Sequence, residues 1–98
     1  MIRVLAELEF FKKEGGRNNA IVTGYRPVFN GLNDTSAISG RIILLNREFL
    51  FPGEKEIVEI DFLDGFIPEK YLTVGKEFTF EEGLSVILGK GFFTEIIQ

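Results

Sequence analysis

The sequence predicts an all-β fold: a small antiparallel β-barrel of about six strands, formed by one domain that spans residues 1–98. Apolar residues alternate with polar ones at a period of two, which is typical of half-buried strands. Turn-forming residues separate these segments at intervals of about 8–15 residues, a spacing typical of antiparallel sandwiches and small barrels. Eleven residues are phenylalanine, enough large rings to fill a core. If some of these rings were exposed together, they would indicate a partner surface.

The first predicted strand begins at Ile2 and ends near Phe10, because every second residue between them is apolar. A polar loop from Lys12 to Asn19 follows. Its Gly15 and Gly16 accept the positive φ values that tight turns require.

A second strand is predicted from Ala20 to Thr23, where the chain turns at Gly24. Pro27 lacks an N–H group, so it is expected at a strand end, an edge or a bulge. Val28 and Phe29 extend the strand briefly before the turn-prone stretch 30–36.

The middle of the chain predicts two further strands. Residues 38–45 are rich in β-formers, and Gly40 marks a possible bulge. Pro52 and Gly53 form a turn into an alternating segment, 56–62, whose apolar residues face inward. Glu59 and Asp61 then share the opposite face, which is expected to be the solvent face.

The last third of the chain is less regular. Residues 66–75 form either a helical turn near Pro68 or an irregular excursion, and Phe78 and Phe80 then mark a strand. Gly83 turns the chain into an apolar strand, 84–88. Gly89-Lys90-Gly91 predicts a short hairpin loop before a final strand, 92–97.

Composition argues against an enzyme. The chain has no histidine, the usual general base near neutral pH and the commonest metal ligand, and no cysteine, which favours a reducing compartment. The spacing of Gly83, Gly89 and Lys90 differs from that of a phosphate-binding loop. Glu81 and Glu82 are expected to be surface acids and not an acid/base pair. We therefore expect no catalytic residue, cofactor, metal or small-molecule substrate.

The net charge and the lack of long apolar runs disfavour nucleic acid and membranes as partners. Eleven Lys and Arg against fifteen Asp and Glu give a net charge of −4, which disfavours nucleic acid because phosphate contacts dominate such binding. No apolar run approaches the roughly 20 residues of a membrane helix, and charge follows Met1 too soon for a signal peptide. The sequence predicts a cytoplasmic protein without membrane association.

Four blocks in the same order resemble one known family. They are 6–11 running into Gly15-Gly16-Arg17; Gly24-Tyr25-Arg26-Pro27 with Phe29 and a loop ending at Gly40-Arg41-Ile42; Phe51-Pro52-Gly53 leading into 56–62; and Glu82-Gly83-Leu84. The chain resembles domain III, the C-terminal β-barrel of bacterial elongation factor Tu, over nearly its whole length.

The resemblance implies a closed antiparallel barrel that, in the family, follows a GTPase domain and a second barrel and helps to hold aminoacyl-tRNA. Arg17 matches a family arginine close to the tRNA, but Asn18 replaces a basic or histidine neighbour. The loop after Phe29 is altered, the Arg-rich final hairpin is shortened, and an insertion lies between Leu63 and Lys76. These departures favour protein binding over tRNA binding.

Two groups of residues are candidate contacts. Lys12, Lys13 and Arg17 form either a solvated loop or a weak RNA contact. Tyr25 and Arg26 are residue types enriched at interface hot spots, with packing across the barrel and carboxylate pairing as the alternative. Structural turn roles are predicted for Gly15, Gly16, Gly24, Pro27, Gly40, Pro52, Gly53 and Gly83.

Two functional hypotheses follow. The first is a non-enzymatic interaction module that binds a protein partner or self-associates through the barrel surface. The second is a translation-associated accessory with weak tRNA or RNA binding through Lys12, Lys13 and Arg17. Salt dependence separates them, because a phosphate-driven complex weakens steeply as salt rises.

Overall fold

The structure is a computed structural model that describes residues 1–12, 19–83 and 86–97. Within these ranges the chain forms six strands and one short 3-10 helix. The strands are β1 (Ile2–Phe10), β2 (Val28–Asn30), β3 (Ile38–Leu44), β4 (Lys55–Phe62), β5 (Glu77–Glu81) and β6 (Ile87–Ile96), and the 3-10 helix is Glu69–Tyr71.

The six strands form one closed barrel in the order β1-β4-β3-β2-β5-β6, with β6 paired to β1. Every neighbouring pair is antiparallel. The predicted all-β barrel is therefore confirmed. Closure pairs the strand edges that would otherwise be open to pairing with another chain.

In the described part of the chain, no helix has the length and apolar character needed to span a membrane.

Phenylalanine rings form the centre of the core. Phe29 packs edge-to-face on Phe62 and Phe78, with ring centroids 5.3 Å away in both cases. Phe93 lies 5.6 Å from Phe78 and 6.4 Å from Phe62, and Phe80 completes the cluster. Edge-to-face and tilted contacts of this kind add to the stabilisation from burial alone, because the ring edges and faces carry opposite partial charges.

The antiparallel order brings alternate connections to opposite ends of the barrel. The upper end carries the described parts of the connections after β1, β3 and β5, which are residues 11, 12 and 19–27, 45–54, and 82, 83 and 86. The lower end carries both termini with residues 31–37 and 63–76. This division determines which candidate residues can act together.

The predicted hairpin loop at Gly89-Lys90-Gly91 is wrong, because β6 runs through these residues without a turn. Gly89 and Gly91 face the core, where a Cβ atom would lie 2.6 Å from the Phe80 ring and 2.8 Å from the Phe78 ring. Glycine is required here by close packing rather than by a turn.

Gly40 also has a packing role instead of the predicted bulge or turn. It lies inside β3 in regular register with Phe62 of β4. A Cβ atom at Gly40 would be 2.6 Å from the Phe62 ring and 2.8 Å from the Phe29 ring. The missing side chain makes room for the central rings.

The predicted strand from Ala20 to Thr23 is reduced to a single bridge between Ile21 and Leu50. The Thr23 hydroxyl accepts the N–H of Leu44 at 2.9 Å. This side chain takes the place of a backbone acceptor, and the chain then turns at Gly24, whose φ is +100°. Residues 20–23 therefore do not form a regular strand.

Other predicted turns are confirmed. Positive φ is found at Gly24, Gly53 and Gly83. The turn before β4 is formed by Pro52 and Gly53. Pro27 lies buried immediately before β2, where its missing N–H is tolerated. Of the two alternatives for residues 66–75, the helical turn is present as Glu69–Tyr71. Gly15 and Gly16 lie outside the described residues.

Candidate functional site

The exposed apolar side chains at the upper end of the barrel include Val22, Leu45, Phe49 and Phe51, referred to below as the aromatic patch. The bridge between Ile21 and Leu50 explains why Val22, Phe49 and Phe51 are exposed. The two residues exchange backbone hydrogen bonds of 2.8 and 2.9 Å and bury their side chains in the core. Neighbours of an inward residue on extended chain point outward, so Val22, Phe49 and Phe51 face solvent.

Phe49 and Phe51 form the centre of the patch. They flank Leu50, and their ring centroids are 5.9 Å apart with the planes tilted by 33°. About half of each residue is exposed, 46% for Phe49 and 51% for Phe51. Exposed apolar side chains that lie together mark candidate interaction surfaces, and these two rings are in contact with each other.

The sequence pattern predicted the Pro52-Gly53 turn but not this surface just before it. The alternation of side chains could have predicted it. If Leu50 is buried, Phe49 and Phe51 both lie on the opposite, solvent-exposed face. Leu45 was missed as well. It was expected inside the strand 38–45, but β3 ends at Leu44 and Leu45 is 47% exposed.

Ion pairs brace the segment that carries the patch. Arg47 contacts Glu54 through Nη1 and Glu56 through Nε, both at 2.8 Å. The N–H of Phe51 donates to Glu54 Oε1 at 2.7 Å, and this bond, followed by the Arg47 guanidinium, lowers the pKa of Glu54. Hydrogen bonding to Glu54 in turn raises the pKa of Arg47. These contacts fix the segment that carries the rings of Phe49 and Phe51.

The candidate contact residues that the structure describes all lie at the upper end. Lys12 is exposed. Its Cβ lies next to Gly53, on the turn that follows Phe51, because a Cβ atom added to Gly53 would be 3.6 Å from it. Arg26 is exposed, beside the start of β2. Lys13 and Arg17 lie outside the described residues.

Tyr25 has a clear structural role. It is half-buried against the core, and its hydroxyl donates to Glu82 Oε1 at 2.9 Å. This bond joins residues 22–27 to the segment after β5. Tyr25 therefore packs against the barrel, and Arg26 is the more exposed of the two.

The expectation for Asp61 is wrong: it is 7% exposed rather than solvated. It lies between Arg3 and Arg41 on the neighbouring strands, and its Oδ1 has no hydrogen-bond partner in the described part of the chain. Glu59 lies two residues before it on the same face. A hydrogen bond to Asp61, followed by burial, raises the pKa of Glu59.

The acids near the end of β5 serve the fold. Asn30 donates to Glu81 Oε1 at 3.0 Å, and Glu82 accepts from Tyr25. Within residues 1–12, 19–83 and 86–97, no three acidic, histidine or cysteine side chains converge in a group able to hold a metal ion.

A second polar cluster closes the lower end. The Tyr71 hydroxyl donates to Asp34 Oδ1, and Lys70 Nζ lies 3.0 Å from Asp34 Oδ2. Lys76 Nζ and Lys70 Nζ lie 4.4 and 5.0 Å from the centre of the Tyr71 ring. Hydrogen bonding to Asp34 raises the pKa values of Tyr71 and Lys70, and the same bonds lower that of Asp34. The cluster ties residues 31–37 to 63–76.

No protein-family model matches the chain.

Proposed function

We propose that this protein is a non-enzymatic interaction module that binds a protein partner, including a second copy of itself, through the aromatic patch. The observation that carries the proposal is the pair of half-exposed rings, Phe49 and Phe51, held 5.9 Å apart on a braced turn. Aromatic residues are enriched in the buried centre of protein interfaces and supply much of the binding energy there.

The surroundings of the patch resemble the arrangement of a protein interface. Arg26 and Lys12 lie at the same end of the barrel and are exposed, so they supply a polar rim around apolar residues. Leu45 and Val22, 47% and 45% exposed, extend the apolar surface beyond the two rings. Covering these four side chains removes apolar area from water, which favours association.

The resemblance to domain III of elongation factor Tu supports the same proposal, because in that family the barrel packs against sister domains. We infer that the present chain uses a related surface to bind its partner. Fold alone does not establish function, so the patch and its variants are the direct test.

The test compares the native chain with a Phe49→Ser and Phe51→Ser double variant. Sedimentation velocity over a wide concentration range measures self-association, and cross-linking in the host followed by mass spectrometry identifies partners. We expect the double variant to lose the association that the native chain shows. A hot-spot ring removed from an interface typically weakens binding by about 2 kcal/mol or more, roughly thirtyfold.

Phe66→Ser is the matched control, because Phe66 is 53% exposed but lies at the lower end. It should leave association intact. If the native chain and the double variant sediment as monomers and cross-link to the same proteins in equal amounts, the proposal is wrong.

A second candidate is weak RNA binding, which is favoured by the exposure of Lys12 and Arg26 at one end of the barrel. Fluorescence anisotropy with labelled tRNA at low and high salt tests it. A Lys12→Gln and Arg26→Gln variant should bind more weakly and show a smaller salt slope. No anisotropy change at low salt would exclude this candidate.

A further inference from the structure

A groove of about 650 Å³ runs along the outer wall of the barrel over β1, β6 and β5. It exists because β2 is short. The pairing of β2 with β5 ends at Asn30 and Thr79, so Glu77 and Phe78 of β5 face Gly31 instead of a further strand residue. The groove is separate from the aromatic patch, whose four residues do not line it.

One row of side chains crosses the groove. In the strand register, Glu7 of β1 lies beside Phe92 of β6, and Phe92 lies beside Glu77 of β5. All three line the groove. Side chains directly opposite each other on neighbouring strands have Cβ atoms about 4.5–5.5 Å apart, so the ring lies between two carboxylates. Phe92 is 37% exposed, which leaves part of it open to a ligand.

The two carboxylates of this row have no ion-pair partner among the residues that the structure describes. The next row differs, because Glu9 stands between Lys55 and Lys90 in the register of its two neighbouring strands. Two lysines thus stand directly opposite this carboxylate, whereas no cation stands directly opposite Glu7 or Glu77 in the described strands. The groove as a whole is lined by three acids and two lysines, and its Phe92 row carries two carboxylates without a facing cation.

We propose that this groove binds an arginine side chain of a protein partner, with the guanidinium over Phe92 and between Glu7 and Glu77. A cation is attracted to the face of an aromatic ring, and it also pairs with carboxylates. Arginine fits better than lysine, since its planar group stacks on a ring while its N–H groups donate at the edges.

The groove is open along the strands, which favours an arginine within a chain over a free cation, because backbone on either side of the arginine has space there. This arginine site is a second surface of the barrel, separate from the aromatic patch.

The experiment is a titration of the isotopically labelled chain with the capped peptide Gly-Gly-Arg-Gly-Gly, followed by amide chemical shifts. We expect saturable shifts at Glu7, Glu77 and Phe92. The same peptide with citrulline, a neutral analogue of arginine, should bind several-fold more weakly because it lacks the charge, and the lysine peptide should lie between them.

Variants locate the site. A Glu7→Gln and Glu77→Gln double variant should weaken binding of the arginine peptide by roughly threefold to tenfold, as expected for the loss of exposed charge pairs. Phe92→Thr, which keeps a β-forming residue, should weaken it similarly. The matched control is Glu95→Gln, because Glu95 is an exposed carboxylate on β6 that does not line the groove.

The outcomes separate the two proposals. A Phe49→Ser and Phe51→Ser chain should still bind the arginine peptide, whether or not the aromatic patch proves to be an interface. Equal binding of the arginine and citrulline peptides, unchanged binding to the Glu7→Gln and Glu77→Gln variant, or no saturable shift at all would each overturn the arginine site.

Discussion

Gly89 of β6 and Phe80 of β5 are cross-strand partners that cannot both carry a side chain into the core. The ring of Phe80 occupies the space in which a Cβ atom of Gly89 would lie, 2.6 Å from the nearest ring carbons. The backbone carbonyl of Glu9 approaches the same position from β1. The contact between β6 and its two neighbours therefore depends on this glycine.

We expect Gly89→Ala to lower the free energy of unfolding by about 2–3 kcal/mol, in the upper part of the range for overpacking, because a backbone carbonyl cannot move aside as a side chain can. Chemical denaturation measures it. Gly65→Ala is the control: φ is +87° and the space around the added Cβ is open, so only backbone strain of about 1 kcal/mol is expected. Equal losses in the two variants would contradict the packing explanation.

Phe29→Ala should destabilise the barrel by about 3–5 kcal/mol, because Phe29 is fully buried and contacts three other rings. Phe49→Ala removes the same atoms from an exposed position and should change stability by less than about 1 kcal/mol. Thermal and urea unfolding of the two variants test the pair. A similar loss in both would mean that Phe49 is part of the core.

Glu59 should make stability fall as the pH rises. Its folded pKa is raised above the ordinary 4.5, first by the hydrogen bond to Asp61, so the folded state holds the proton more tightly than the unfolded state does. The loss of folding stability begins as the pH rises through the ordinary pKa of Glu59 and is complete above its folded pKa.

Glu59→Gln keeps a donor toward Asp61 and removes the titration. We expect the variant to be more stable than the native chain near neutral pH, by less than about 1 kcal/mol because Glu59 is half-exposed, and to match it near pH 3. Melting temperatures across this range, with Glu95→Gln as control, measure the difference. A variant that is less stable near neutral pH would contradict the assignment.

Tyr71→Phe should loosen the lower end without unfolding the barrel. It removes the hydroxyl that donates to Asp34 but keeps the ring beneath Lys70 and Lys76. We expect faster amide hydrogen exchange in residues 31–37 at neutral pH. Tyr25→Phe, at the upper end, should leave exchange in this segment unchanged.

The effect of Tyr71→Phe should fade as the pH falls. The Tyr71 hydroxyl, followed by Lys70, holds the pKa of Asp34 below its ordinary value, so this tie stabilises the fold above the ordinary pKa and is lost as the pH drops through the lowered one. Exchange rates corrected for intrinsic pH dependence provide the comparison. A difference that persists in acid would show that Asp34 is not the partner responsible.

The barrel could be predicted from local pattern where burial alternates strictly, as in β1 and β4. It could not be predicted at β6, where Gly89 and Gly91 have the composition of a turn but lie in a strand. Their role depends on rings of β5 that are distant in sequence, and local pattern contains no information about that packing.

The candidate site was predicted only in part, for a similar reason. Lys12, Tyr25 and Arg26 do lie at one end of the barrel, but the rings beside them were missed because the exposure of Phe49 and Phe51 depends on the long-range bridge between Ile21 and Leu50. Asp61 was assigned to solvent because alternation specifies a face, whereas its burial depends on the strands on either side.

The rings of Phe29, Phe62, Phe78 and Phe93 contact one another in the core of the barrel, and wider barrels hold a small ligand in their interior. New specificity in this scaffold must therefore arise from the outside. Substitutions in connecting segments and in outward-facing strand positions can remodel what the protein recognises while the aromatic interior stays constant, which makes the barrel a tolerant platform for divergence.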